Sequence, residues 1–432
     1  MNRLKILLCM SFIFLYFIGI PQAFPQAEQT DIEELKKDAP KIFLDCGSCD
    51  IDYIRTEITF VNYVRDRKEA QVHVLITTQG TGSGGREYTI SFIGQLDFEG
   101  INDKHIYFSE KTETQDEIRE GLTNAIKIGL TSYAAKTPIA SRIKVSYSEK
   151  DEQKAVEDKW NNWIFGISGN TYFSGQKSYK SSSLHGSFSA SRITEDFKIS
   201  MSVSASHDKD DISYDEETIE SLQNNMNFNG LFVKSISDHW SVGAYVRADS
   251  STYENIKYAI NTSPAIEFNL FPYSEATRRQ FRFLYRFGFH AIKYREETIY
   301  DKISENLWNQ SLSATFDIKE KWGSISTTLS GSHYFHDFSK NRIDIFSYLN
   351  IRIIKGLSFF AIGMGSSVHD QLSLPKGEAS LEDVLLQIKQ LETSYSYFFS
   401  VGLSFTFGSI FTNVVNPRFG SSGSGGVSII IN

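Results

Sequence analysis

Between about residues 160 and 407, apolar and polar side chains alternate one by one. In 199–206 the odd positions are Ile199, Met201, Val203 and Ala205, and every even position is Ser. In 281–291, Phe281, Phe283, Tyr285, Phe287 and Phe289 oppose Arg282, Arg286 and His290. In 395–407, Tyr395, Tyr397, Phe399, Val401, Leu403, Phe405 and Phe407 oppose Ser396, Ser400, Gly402, Ser404 and Thr406. Successive side chains of a strand point to opposite faces, so a period of two predicts strands with one apolar and one polar face. Twelve such segments begin near Trp163, Ser183, Phe197, Asn224, Trp240, Tyr258, Gln280, Leu307, Trp322, Arg342, Leu357 and Ser394. At roughly 10–14 residues they are longer than the usual five or six. Small polar residues on one face suit a watery lumen and aromatic residues on the other suit lipid, the signature of an outer-membrane barrel, whose strand number in single bacterial chains is even.

The connections sort by parity. If the N-terminal region lies on the inner side, the inner turns are 194–196, 236–239, 271–279, 319–321 and 354–356, four of them tight. The long connections, 207–222, 294–306 and 369–393, all fall on the outer side. The five Trp (160, 163, 240, 308 and 322) lie at segment ends, as an interfacial girdle requires. Within 369–393, Ser380 and Asp383 accompany a stripe of Leu381, Val384, Leu385, Ile388 and Leu391, which predicts a capped amphipathic helix that folds over the mouth or packs on the rim. The acidic stretch Asp208, Asp210, Asp211, Asp215, Glu216 and Glu217 lacks the central Gly of an EF-hand loop and reads as solvated surface.

Ahead of this region the pattern differs. Strands are predicted at 41–45, 56–65, 70–79 and 87–94. The Gly-rich run 80–85 joins strand to strand, so it reads as a hairpin turn; a phosphate cradle would need a following helix N-terminus. Thr114 and Glu117 form a capping box ahead of Ile118, Leu122, Ala125, Ile126, Gly129, Leu130 and Tyr133, which predicts a helix running toward Pro138, with a closing strand near 142–147. This makes residues 41–150 a small α+β module. Residues 1–27, with Arg3 and Lys5 before an apolar run of about 15 residues, read as a cleaved secretory leader, too short for a spanning helix. Cys9 lacks a lipoprotein context. Residues 28–40 and 151–160 are linkers, 161–408 the barrel, and 409–432 a tail in which 427–431 could add a strand to the module's sheet.

Composition narrows the class. There are 44 Lys+Arg and 52 Asp+Glu, a net charge of −8, which excludes the basic footprint of a nucleic-acid binder. The mean hydropathy of −0.27 looks soluble, but residue-by-residue alternation cancels a lipid-facing surface in every window. After the leader two cysteines remain, Cys46 and Cys49. An exported compartment favours a short disulfide between them; a redox site would need a helix to follow, where strands are expected, and covalent haem would need His where Asp50 stands.

With the aromatic face outward, the inward set includes Arg247, Asp249, Glu267, Arg282, Arg286, His290, Asp344 and Arg352. Pairing the sixth and seventh segments so that residue numbers sum to 549 sets Glu267 opposite Arg282. Twelve strands leave a narrow or plugged bore, in which these charges either form a filling salt-bridge network or an Arg-bearing constriction favouring anions. No catalytic, metal or cofactor motif is present, which leaves His185 or His290 beside lumenal Ser as the only route to a lipid-modifying enzyme.

The stretches Pro264-Ala265-Ile266-Glu267-Phe268-Asn269-Leu270-Phe271-Pro272-Tyr273, Tyr285-Arg286-Phe287-Gly288 and 294–304 resemble a family of uncharacterised Gram-negative outer-membrane barrels akin to the salt-inducible, YdiY-type domain of unknown function. The resemblance covers the barrel half and implies location and fold. The resulting expectation is a twelve-stranded antiparallel transmembrane barrel, preceded by a periplasmic module, acting as a narrow channel or envelope scaffold among outer-membrane lipid and lipopolysaccharide. Its rival is a membrane-anchored module that binds a periplasmic protein or peptidoglycan.

Overall fold

The computed structural model describes residues 38–81, 84–146, 158–214, 217–377, 390–413, 415 and 418. The leader, the body of the helix expected at 380–391, and the segment 427–431 lie outside the described residues.

Two sheets carry the structure. The first contains β1 (Lys41–Asp45), β2 (Asn62–Tyr63), β3 (Val72–Gly80), β4 (Arg86–Gly94) and β5 (Asn102–Ser109), in the order β2-β1-β3-β4-β5. β1 is parallel to β2 and β3, and β3, β4 and β5 follow antiparallel. A parallel pair needs a crossover, which α1 (Ile51–Glu57) supplies between β1 and β2. α2 (Gln115–Ala134) starts on the expected capping box, in which Thr114 accepts from the Glu117 amide and Glu117 accepts from the Thr114 amide. Its Leu122, Ile126, Leu130 and Tyr133 share one core with Ile90 and Phe92 of β4 and Ile54 of α1, so both helices cover the same face of the sheet. The fit is tightest at Gly129, where a Cβ would lie 2.2 Å from the Phe92 ring.

Three expectations for this module are corrected. Residues 51–57 are helical, because the Asp50 side chain caps the Tyr53 amide, and only Asn62–Tyr63 of the strand expected at 56–65 is extended. Residues 138–142 form a 3-10 turn and 143–146 lie outside any strand. β5 was not foreseen: its polar outer positions mask the alternation that turns His105 and Tyr107 toward α2.

All twelve alternating segments are strands of the second sheet: β6 (Trp163–Gln176), β7 (Tyr179–Ile193), β8 (Phe197–Tyr214), β9 (Glu217–Ser235), β10 (Trp240–Ser251), β11 (Ile256–Asn269), β12 (Arg279–Tyr294), β13 (Ser304–Glu320), β14 (Gly323–Tyr334), β15 (Asn341–Ile354), β16 (Leu357–Val368) and β17 (Tyr395–Phe405). Each pairs antiparallel with its neighbours in sequence. The sheet curls enough for six successive strands, β10 to β15, to line one cavity. Among the described residues, however, β6 and β17 do not pair, so the ring is open, and both end strands are exposed along most of their length. This departs from the closed barrel expected. An even strand count still leaves β6 and β17 antiparallel, the sense that closure needs.

The acidic stretch expected to be an outer loop instead continues the β8–β9 hairpin to Tyr214 and Glu217. Partners across the strands make this feasible: Lys209 pairs with Glu220 at 3.0 Å, and Asp210 and Asp208 accept from Tyr179 and Ser183 at 2.8 and 2.5 Å. The β11–β12 register also differs from expectation. Glu267 stands opposite Leu284, and Arg282 opposite Asn269.

Candidate functional site

The apolar set of most strands faces away from the curl, while Phe346, Tyr348, Phe360, Met364 and Phe398 of β15–β17 take the opposite, inward parity. Ile167, Phe188, Phe232, Val246, Ile260, Tyr285, Phe287, Leu312, Leu329, Ile345 and Leu403 are all exposed on the outer face. The opposite, polar face holds the cavity shared by β10–β15, about 450 Å³ in volume. Residues 370–373, from the connection after β16, lie against it, with Leu372 buried.

Three guanidinium groups and three carboxylates, those of Asp249, Glu254 and Asp370, line this cavity. Arg247 is bound by Asp249 at 2.7 Å, and Arg342 faces Asp370 at 3.5 Å. Arg286 donates to the Ser311 hydroxyl at 3.1 Å and lies 5.5 Å from the centre of the Tyr245 ring, with no carboxylate within ion-pair distance among the described residues. His290 sits edge-on to Tyr334 at 5.8 Å. Toward the inner turns a second cavity of about 350 Å³ holds Glu267, Arg282 and Tyr273. Glu267 accepts from the Tyr273 hydroxyl at 3.0 Å and meets Arg282 diagonally at 3.8 Å, so the expected partners meet despite the shifted register. Asp344 accepts from Ser366 at 2.6 Å.

Arg352 departs from its expected role. It shares the inward parity of Arg342 and Asp344, but its partner belongs to the module: it donates to Asp45 at 2.9 Å and lies 4.6 Å over the Phe43 ring. Asp45 also accepts from His73 Nε2 at 3.0 Å, and the His73 ring is fully buried with Nδ1 unpartnered. Burial would raise the Asp45 pKa, but the His73 hydrogen bond and the Arg352 charge outweigh it and hold the carboxyl below its usual range. Burial lowers the His73 pKa, Arg352 and Arg67 push the same way, and Asp45 opposes them. A neutral ring with its proton on Nε2 satisfies this arrangement.

Further contacts join the two sheets. Lys355 pairs with Glu69, and the Gly356 amide donates to Asp66 at 2.6 Å. After β17 the chain runs beside Tyr63–Arg65: the Arg65 amide donates to Ile410 and the Thr412 amide to Tyr63, both at 2.9 Å. Residues 410–412 thus cover the β2 edge, the kind of docking anticipated for 427–431. On the other flank, Lys111 Nζ lies 2.9 Å from where a Cβ on Gly166 of β6 would be. Cys46 and Cys49 are joined as a disulfide just after Asp45. A helix, not a strand, follows them.

Sequence parity located most of the inward charges but missed Arg342, which the same rule would have found two residues before Asp344. It gave no sign that Asp45, His73 and Phe43 complete a site with Arg352, because that pairing spans 307 residues. His185 and His290 lie on separate strands, and neither forms a hydrogen bond to a hydroxyl or carboxylate among the described residues. No group of three or more His, Cys, Asp or Glu among those residues is placed to hold a metal ion, and no helix there is long and apolar enough to cross a membrane.

No family model matches the chain, and no curated protein does. A solved structure described as the NanC porin in a rhombohedral crystal form is similar over 56% of this chain and 99% of that one, at 10% identity and a TM-score of 0.26. A likeness of that size is too slight to bear on what the chain does.

Proposed function

We propose that the second sheet closes through β6 and β17 into an outer-membrane barrel forming a narrow channel, and that the first sheet is its periplasmic module. The observation that carries this reading is the division of the twelve strands into two faces. An exposed apolar surface extending over almost every strand far exceeds the few hundred Å² that soluble monomers leave uncovered. The polar face holds charged residues around open volume. The lengths agree: β8 and β9, of 18 and 19 residues, are roughly 60 Å long at about 3.3 Å per residue, twice the ~30 Å hydrocarbon core, so their hairpin stands well clear of the outer surface.

Arg286 gives the channel its preference. Arg247 and Arg342 are neutralised by carboxylates, and the remaining carboxylate of the lining, Glu254, stands in the β10–β11 connection, whereas Arg286 keeps its charge part-way along β12, where a constriction would favour anionic solutes. Reversal-potential measurements in planar bilayers under a KCl gradient test this. Chloride preference in the native protein, reduced in Arg286→Ser and inverted in Arg286→Glu, is the expected result; cation preference in the native protein would refute it.

A second reading has one observation in its favour. Among the described residues β5 is an edge strand with no further partner, and its Ile106 and Phe108 are 48% and 59% exposed, a surface suited to adding a strand from an envelope protein. Photo-crosslinking from position 106 that captured neither an envelope protein nor peptidoglycan would remove it.

A further inference from the structure

The module's sheet has one face covered by α1 and α2. The other face carries His73, Leu75, Thr77 and Thr89, which are buried although both helices pack on the opposite side. Arg352 reaches this helix-free face from the second sheet. The points of approach lie on both sides of the open seam, with the bonded ones on the β15–β17 side. Arg352, Lys355 and Gly356 belong to the inner end of β15 and the turn to β16, residues 410–412 follow β17, and Lys111 approaches Gly166 of β6. Five strands span four spacings of about 4.8 Å, roughly 19 Å, a width suited to the narrow bore of a twelve-stranded ring.

The kind of contact is equally informative. The module's apolar core contains residues of the module alone, and strands β15 and β16 with their turn are joined to it by ion pairs, a single hydrogen bond and the Arg352–Phe43 ring contact. A polar junction of this kind permits relative motion, unlike a fused hydrophobic core. The backbone pairing of 410–412 with β2 differs, because it ties the module to the strand next to the seam.

On the channel reading above, we propose that the helix-free face of the module is the inner gate of the pore, latched shut by Asp45–Arg352 and Glu69–Lys355 and tethered by residues 410–412. Breaking either latch pair frees the face from the rim while the tether keeps the module near the mouth.

Single-channel recording from the full chain in planar bilayers tests the proposal. Arg352→Gln and Lys355→Glu are each expected to raise open probability about ten-fold over the native protein. Adding Glu69→Lys to Lys355→Glu re-forms the pair with its charges exchanged and is expected to restore native closure. This swap keeps the test decisive where Arg352→Gln fails to fold. Equal open probability in native protein and both latch variants would overturn the gate and leave the channel standing. No conductance from any of them would overturn the channel and the gate together.

Discussion

Replacing Arg352 with Ala removes one guanidinium that serves both an ion pair and a ring contact. Breaking a fully buried pair by deleting one partner costs about 3–5 kcal/mol, whereas an exposed pair contributes about 0–1 kcal/mol. Here the two side chains are 25% and 26% exposed, which puts the loss between those limits. The contact with the Phe43 ring adds roughly 0.5–1 kcal/mol. We therefore expect docking to weaken by about 2 kcal/mol, roughly thirty-fold in the undocked population. The Gly356 amide is a clean reporter, since its hydrogen bond to Asp66 exists only while the module is docked. Hydrogen exchange measured by NMR in micelles should show Gly356 exchanging about thirty-fold faster in Arg352→Ala, with the α2 amides of Ile126 and Leu130 unchanged. Arg352→Lys, which keeps the charge but loses the fork and much of the stacking, should fall between. An unchanged Gly356 rate would show that the anchors act independently. Uniformly faster exchange through α2 would show that Arg352 supports the module's fold, not its docking. Either result refutes the reasoning.

Acid should loosen the same junction. Arg352 lowers the pKa of both Asp45 and His73, so docking favours their deprotonated forms and undocking takes up protons. The His73 contribution is complete above its free value of about 6.5 and fades as pH falls below it, and that of Asp45 fades below about 4. His73 faces Asp45, Arg352, Arg67 and the Phe43 ring, so Gly356 exchange, corrected for intrinsic rate, should rise from about pH 6.5 downward, and a flat profile would contradict this. Gly129→Ala drives a methyl group into the Phe92 ring and should destabilise the module by about 1–3 kcal/mol in denaturant titration, with no change in the strands of the second sheet. On the second sheet, Leu312→Arg puts a charge on the lipid face at a cost of about 2–4 kcal/mol near mid-membrane, while Ser313→Arg on the polar face should cost far less. Equal losses in a folding titration into bilayers would count against the facing.

Legibility followed the range of the interactions. Strand facing depends on nearest neighbours, so alternation alone located twelve strands and turned Arg247, Glu267, Arg282, Arg286, His290 and Asp344 toward the polar face. Register depends on the turns. The single 3-10 turn at Tyr273–Glu275 shifts β11 against β12 by two residues, a displacement that preserves facing and therefore leaves no trace in the pattern. α1 escaped notice because one cap by Asp50 outweighs the strand-like Ile and Tyr residues around it. The junction with the module was invisible because His73 lies in a run of Val and Leu that reads as plain core, and its partners come from strands that meet only when the whole chain has folded. The open edge between β6 and β17 was equally hidden, since both strands carry the alternation through most of their length.

The most direct test of the central claim is the environment of successive positions along β12 in lipid vesicles. Spin labels placed singly from 283 to 288 report oxygen access, which is high in lipid, and access of a water-soluble nickel complex, which is high in a lumen. The account predicts strict alternation, with oxygen favoured at the positions of Phe283, Tyr285 and Phe287 and nickel favoured at those of Leu284, Arg286 and Gly288. Water access at all six positions, or no alternation, would contradict it.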